Sequence, residues 1–142
     1  MWKNCLTAAL DDVSASIGVA VIRGGVEAKL GMLAASGCEG LELMTLGRIG
    51  EKAMRDLRSA LDRAGIALCA ISSGAVRSCT GITLYESLED GSGVGEAVLE
   101  SLVAVAGTLG APLLTIGGIR GRCGESLELR SRFSALLSRV AD

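Results

Sequence analysis

The segment DRAGIALCAIS, Asp62–Ser72, is the clearest indication of the fold, because it contains a helix end, a glycine and an apolar strand in that order. A glycine just past a helix supplies the left-handed backbone conformation that ends it, so Gly65 predicts a helix C-terminus. The apolar run that follows lacks regular alternation with polar residues, which is typical of a parallel strand covered on both faces. This order of elements indicates a protein built from repeated βα units.

Two other segments repeat the pattern. They are AASGCEGLELM, Ala34–Met44, and GTLGAPLLTIG, Gly107–Gly117, with Gly37 and Gly110 at the positions equivalent to Gly65. In each, an apolar run begins shortly after the glycine. The chain therefore contains a βα unit that recurs along its length.

The repeat predicts four strands and four helices. We expect strands at Ile17–Ile22, Gly40–Thr45, Ile66–Ser72 and Pro112–Ile116, and helices at about Val26–Ser36, Glu51–Ala64, Val94–Leu109 and Leu127–Val140. A long loop, Ser73–Gly93, precedes the third helix. Consecutive βα units imply parallel strands with right-handed crossovers. The fold class is α/β, either a small open doubly wound sheet or part of a (β/α)₈ barrel.

The chain length favours part of a barrel over a complete one. A complete barrel takes about 250 residues, and this chain has 142. We expect residues 1–16 to form an N-terminal extension and residues 17–142 to form a half-barrel of strands 1–4 and helices 1–4.

The composition excludes several classes of protein. Hydrophobic residues make up 49% of the chain and the mean hydropathy is +0.47, which argues against disorder. The net charge of −2 gives no basic footprint for nucleic acid. No apolar run reaches the roughly 20 residues of a membrane span. We therefore expect a soluble, cytoplasmic protein that binds neither nucleic acid nor membrane.

The sequence contains no histidine and five cysteines. The missing histidine excludes Ser-His-Asp and Cys-His nucleophile systems and removes the commonest metal ligand. The cysteines are widely spaced, odd in number and form no CxxC pair, so they match neither a zinc site nor a disulfide framework. Reduced thiols are expected.

A glycine-rich loop after the fourth predicted strand is the strongest candidate for ligand binding. GGIRGR, Gly117–Arg122, places Arg120 and Arg122 beyond the carboxyl end of a parallel strand, where such proteins bind ligands. A guanidinium pairs bidentately with phosphate or carboxylate. The alternative is a surface turn with two solvated arginines.

Two further candidates lie on the second and third strands. Glu42 stands within a predicted parallel strand, where a carboxylate either faces a ligand or pairs with an arginine from a neighbouring loop. Ser72 and Ser73 end the third strand, where hydroxyls either contact a sugar or phosphate or form a turn. Of these two we select Ser73.

Three segments together resemble the first half of the sugar phosphate isomerase/epimerase family, the xylose-isomerase-like TIM barrels. They are IGVAVIRGGVEAKLGMLAASGCEGLELM (17–44), LRSALDRAGIALCAISSG (57–74) and GTLGAPLLTIGGIRGR (107–122). The resemblance runs from about residue 17 to the C-terminus and rests on the order and spacing of the segments.

The resemblance implies a function and site residues. Members of the family move protons next to a sugar carbonyl with the help of a divalent metal such as Mn, Mg, Co or Zn. The metal ligands, typically Glu, Asp, His and Glu, sit at the ends of strands 5 to 8. Glu42 corresponds to the family's strand-2 glutamate, and Arg120 and Arg122 correspond to arginines after strand 4. We expect these residues and Ser73 to bind a sugar or sugar phosphate.

The resemblance leaves three interpretations open. The chain is a truncated N-terminal half without a metal site and with no catalytic residue of its own, or a half-barrel that dimerises. Alternatively, it is a small anion-binding module that only superficially resembles a barrel. We expect self-association through open sheet edges or through a missing C-terminal half. No metal is expected to bind this chain alone.

Overall fold

The computed structural model of the chain describes residues 5–9, 25–74, 76–82, 93–116 and 127–141. The elements in chain order are β1 (Cys5–Ala9), α1 (Val26–Ala35), β2 (Gly40–Met44), α2 (Glu51–Ala64), β3 (Ala67–Ser72), α3 (Val76–Thr80), α4 (Val94–Leu109), β4 (Leu114–Thr115) and α5 (Leu127–Ala141).

The described strands form one parallel sheet in the order β1-β2-β3-β4. A doubly wound sheet reverses direction and has an order such as 3-2-1-4 or 2-1-3-4. The observed order instead matches consecutive units of a (β/α)₈ barrel. Because right-handed crossovers that step in one direction leave the helices on one side, α1, α2 and α4 lie on the same face of the sheet.

The three glycines singled out in the sequence end their helices as predicted. Gly37, Gly65 and Gly110 have φ angles of 78°, 66° and 69°, in the left-handed region. After Gly65, the amide of Ile66 donates to the carbonyl of Leu61 at 3.1 Å, which is the hydrogen bond of a Schellman motif. The residues after Gly37 and Gly110 make the same bond.

Ion pairs between residues four apart and one apolar face stabilise helix α2. Lys52 and Asp56 form an ion pair of 2.6 Å across one turn. Glu51 with Arg55 and Arg58 with Asp62 have the same spacing. Leu57 and Leu61 lie on the opposite face and are buried against the sheet.

The main core lies between the sheet and these helices. Its buried residues include Leu41, Leu43, Leu68 and Ile71 from the sheet and Leu30, Leu33, Leu57, Leu61, Leu102 and Leu109 from the helices. Full burial of one such side chain stabilises the fold by about 1.5–3 kcal/mol. A smaller cluster joins Leu99 of α4 to Leu136 of α5, so α4 is buried on more than one side.

The first strand lies earlier in the chain than we predicted. β1 covers Cys5–Ala9, inside the segment 1–16 expected to be an extension, and pairs with β2 from Cys5 opposite Gly40 to Ala9 opposite Met44. The strand predicted over Ile17–Ile22 lies outside the described residues. That run is richer in β-branched residues than CLTAA, and propensity therefore favoured it.

Other differences from the predicted elements are small. The loop predicted over Ser73–Gly93 begins with the short helix α3, whose Val76 is buried in the main core. The fourth strand is shorter than Pro112–Ile116, and Pro112 cannot donate a ladder hydrogen bond. Within the described ranges, no helix is long and apolar enough to cross a membrane.

Candidate functional site

The carboxyl ends of β2, β3 and β4 meet at one edge of the sheet. Met44 is opposite Ser72, and Ser72 is opposite Thr115. The ladder continues one step further, because the amide of Ser73 donates to the carbonyl of Thr115 at 3.0 Å. The residues that end three strands are therefore held in one row by backbone hydrogen bonds.

The two faces of the sheet differ in the side chains that they carry. Leu41, Leu43 and Ile71 point into the main core on the helix side. Their neighbours along the strands point the opposite way. We call that opposite side the inner face; its residues are Glu42, Met44, Ala70, Ser72 and Thr115.

A bulge in β3 sets which residues share the inner face. Leu41 is opposite Leu68, but the next residue, Glu42, is opposite Ala70, so Cys69 is an extra residue in β3. An extra residue shifts the alternation of everything after it. Because of this shift, Ala70 and Ser72 lie beside Glu42 and Met44.

Glu42 lies on the inner face, which is where a ligand-binding role requires it. Its side chain is partly buried, between Thr7 in the register of β1 and Ala70 in that of β3. Its role in binding stays a prediction.

Ser73 lies on the helix side of the sheet, and its role in binding stays a prediction. It follows Ser72 by one residue, and strand alternation directs its side chain towards the helices, where it is 1% exposed. Its carbonyl accepts a hydrogen bond of 2.9 Å from the amide of Val76 and so starts α3.

Ser72 is the serine on the inner face. Its Oγ accepts a hydrogen bond of 3.3 Å from the amide of Gly74, and the residue is 5% exposed. Sequence reasoning chose its neighbour, because it did not include the bulge. Regular alternation from the core residue Leu68 would place Ser72 on the helix side and Ser73 on the inner face, and the extra residue Cys69 reverses this.

The arginines of the glycine-rich loop, Arg120 and Arg122, lie outside the described residues. The described part of β4 ends at Thr115, at the carboxyl edge of the sheet, and Ile116 is the last described residue before the loop. Their role in anion binding stays a prediction.

A cavity of about 690 Å³ lies between α1 and α2. Its lining includes Val26, Arg48, Ile49 and Leu57, and the Arg63–Glu27 ion pair of 2.5 Å stands beside it. Glu42, Ser72 and Ser73 are not among the residues that line it. The cavity belongs to the helix layer and is separate from the inner face.

The described residues do not fit a divalent metal. Nowhere in the described ranges do three Asp, Glu, His or Cys side chains form a group that could hold an ion. Cys38, Cys69 and Cys79 form no disulfide. No step that requires a metal is therefore assigned to these residues.

Among the titratable groups of the described residues, Lys52 has a clearly shifted pKa, and it lies away from the carboxyl edge. The hydrogen bond and charge of Asp56 raise the pKa of Lys52 on the exposed side of α2. This ion pair supports the helix and has no contact with the inner face.

Comparison with known proteins identifies the fold. No family model matches the sequence, and no curated protein matches it. Among solved structures, the crystal structure of a xylose isomerase domain protein from Planctomyces limnophilus superimposes with a TM-score of 0.64 at 16% sequence identity. The match covers 99% of this chain and 50% of that one. The chain thus has the α/β fold of about half of a xylose isomerase domain protein.

Proposed function

We propose that the chain is one half of a sugar phosphate isomerase/epimerase-like barrel and binds an anionic sugar at the carboxyl edge of its sheet. The observation that carries the proposal is the strand order β1-β2-β3-β4, together with the similarity to half of a xylose isomerase domain protein. In barrels of this kind, ligands bind at the carboxyl ends of the strands.

Binding is assigned to four residues and proton transfer to none. Glu42 contributes a carboxylate on the inner face, and Arg120 and Arg122 contribute cations that suit a phosphate or carboxylate. Ser73 contributes through its backbone, which joins β3 to β4 and starts α3. A divalent metal would polarise the sugar carbonyl. These four residues include one carboxylate, too few oxygen ligands for such an ion, and we therefore assign the reacting groups to a complementary half.

Titration with inorganic phosphate and with glucose 6-phosphate tests the anion site. We expect the double variant Arg120→Ala/Arg122→Ala to weaken the binding of both by about tenfold or more, because each charge-assisted hydrogen bond contributes about 1.5–3 kcal/mol. The matched control is Arg130→Ala/Arg132→Ala, which removes the same charge from α5. Equal losses of affinity in the two double variants would show that net charge causes the effect. That result would contradict the assignment of the anion site to Arg120 and Arg122.

A second function, self-association without catalysis, is favoured by the two edges of the sheet. Within the described sheet, β1 and β4 each pair on one side only. Open edges of parallel sheets promote pairing with another chain. Light scattering on the purified chain distinguishes the cases: a dimer has about twice the monomer mass of 14.4 kDa, and an unassociated half-barrel has the monomer mass.

A further inference from the structure

We propose that Ser72 and Thr115 form a hydroxyl pair that binds two neighbouring hydroxyl groups of a sugar or similar polyol. The inference deepens the proposed function and rests on it for the edge of the sheet at which the ligand binds. It adds the residues that recognise the uncharged part of the ligand, which the arginines of the glycine-rich loop do not explain.

The register of β3 and β4 places these two residues side by side. Ser72 is directly opposite Thr115, and the two form the last pair in register between β3 and β4 at the carboxyl edge. Neighbouring strands lie about 4.8 Å apart, and residues in register point to the same face. Two hydroxyls at this separation can each hydrogen-bond one oxygen of a vicinal diol.

The environment of Ser72 leaves hydrogen-bonding capacity for a ligand. A serine hydroxyl has one donor and two acceptor positions. Its oxygen accepts from the Gly74 amide, but no residue in the described part of the chain accepts a hydrogen bond from the hydroxyl of Ser72. The residue is 5% exposed, and buried polar groups are nearly always satisfied. A ligand hydroxyl on the inner face supplies the acceptor.

Gly74 and Met44 define the space next to the Ser72 hydroxyl. A Cβ atom added at Gly74 would stand 3.4 Å from Ser72 Oγ and 3.6 Å from Met44 Cε. Glycine therefore keeps this side of the hydroxyl open, and the Met44 methyl group offers an apolar contact to the carbon chain of a sugar. Thr115 is exposed, which leaves its hydroxyl accessible from the β4 side.

Titration of the full chain with D-xylose tests the Ser72–Thr115 pair, and amide chemical shifts measure the binding. We expect Ser72→Ala and Thr115→Val each to weaken D-xylose binding about tenfold, the loss of one satisfied hydrogen bond. The matched control is Ser101→Ala, which removes an exposed hydroxyl from α4 in the helix layer and leaves D-xylose affinity unchanged. Thr115→Val changes an exposed side chain, so it keeps the test valid if Ser72→Ala fails to fold.

A bulky residue at Gly74 gives an independent test. We expect Gly74→Leu to reduce D-xylose binding at least as strongly as Ser72→Ala, because its side chain covers Ser72 Oγ and Met44 Cε. The control is Gly50→Leu, since a Cβ there meets nothing within 4 Å.

The outcomes separate this proposal from the proposed function. Wild-type affinity for D-xylose in Ser72→Ala and Thr115→Val, or no D-xylose binding by the wild type, overturns the hydroxyl pair. Phosphate binding that is lost in Arg120→Ala/Arg122→Ala but retained in Thr115→Val supports the anion site independently. If all of these variants keep the phosphate affinity of the wild type, the anion site is overturned, and the hydroxyl pair is not.

Discussion

Arg58 of α2 donates a hydrogen bond of 2.5 Å through Nη1 to the carbonyl oxygen of Leu109, the last residue of α4. The last carbonyls of a helix lack partners within the helix. A guanidinium at this end also interacts favourably with the helix dipole. A side chain of α2 thus caps the C-terminus of α4, and the contact fixes the spacing of α2 and α4 on the sheet.

Removal of the guanidinium tests this contact. We expect Arg58→Ala to lower the free energy of unfolding by about 1 kcal/mol, because a half-exposed charged hydrogen bond is lost. Urea denaturation measures the change. Arg55→Ala removes an exposed i,i+4 pair on the same helix and should change stability by less than about 0.5 kcal/mol. Equal effects would show that Arg58 acts only through helix charge.

A double-mutant cycle links Arg58 to Gly110. A Cβ at Gly110 would stand 3.0 Å from Arg58 Nη1, whereas one at Gly65 meets nothing within 4 Å. Both glycines have left-handed φ angles, so alanine costs about 1–2 kcal/mol at either position. We expect Gly110→Ala to cost more than Gly65→Ala in the wild type, because the new methyl group displaces the guanidinium.

In the Arg58→Ala background the two glycine substitutions should cost the same. The difference between the backgrounds is the coupling energy of the cycle. A coupling energy of zero would mean that Arg58 moves aside without losing its hydrogen bond to Leu109.

Gly47 lies in the loop after β2, where this loop packs against α4. Its φ is 77°, and a Cβ there would lie 3.0 Å from Ser101 Cβ and 3.3 Å from the backbone nitrogen of Leu102. Helix backbone cannot move aside as a side chain can, so Gly47→Ala should destabilise the chain by about 3 kcal/mol. Gly50→Ala, in open space at φ −69°, should leave stability unchanged within about 0.5 kcal/mol. A similar small loss at both positions would contradict the observed packing of this loop on α4.

Leu102 anchors α4 in the main core. It is fully buried, and we expect Leu102→Ala to cost about 2–5 kcal/mol through lost burial and a residual cavity. Leu113→Ala, at a side chain that is 62% exposed, is the matched control and should cost well under half as much. Thermal and urea unfolding of both variants check the difference.

Much of the fold could be predicted from the sequence because its signals are local. Glu51–Ala64 and Val94–Leu109 were predicted with the bounds that the structure has, since a glycine in the left-handed conformation ends each helix. The first strand was misplaced, because CLTAA carries weak β propensity and its pairing with β2 is a long-range contact. Strand order discriminates between barrel and doubly wound sheets, and it too depends on contacts between distant segments.

The candidate site was only partly predictable. Glu42 lies on the inner face as its place within the strand suggested. Ser72, rather than Ser73, shares that face, because the extra residue Cys69 shifts the alternation in β3. A bulge depends on pairing between strands, and no residue type in β3 indicates that one is present.

Amide chemical shifts measured during titration with glucose 6-phosphate test whether the carboxyl edge of the sheet binds an anionic sugar, as we propose. We expect concentration-dependent shifts at Thr45, Gly74 and Thr115, which lie at or just beyond the ends of β2, β3 and β4. The amides of Gly50 and Ala53, beside the cavity between α1 and α2, should not move. Shifts confined to that cavity, or no shifts at saturating ligand, would contradict the claim.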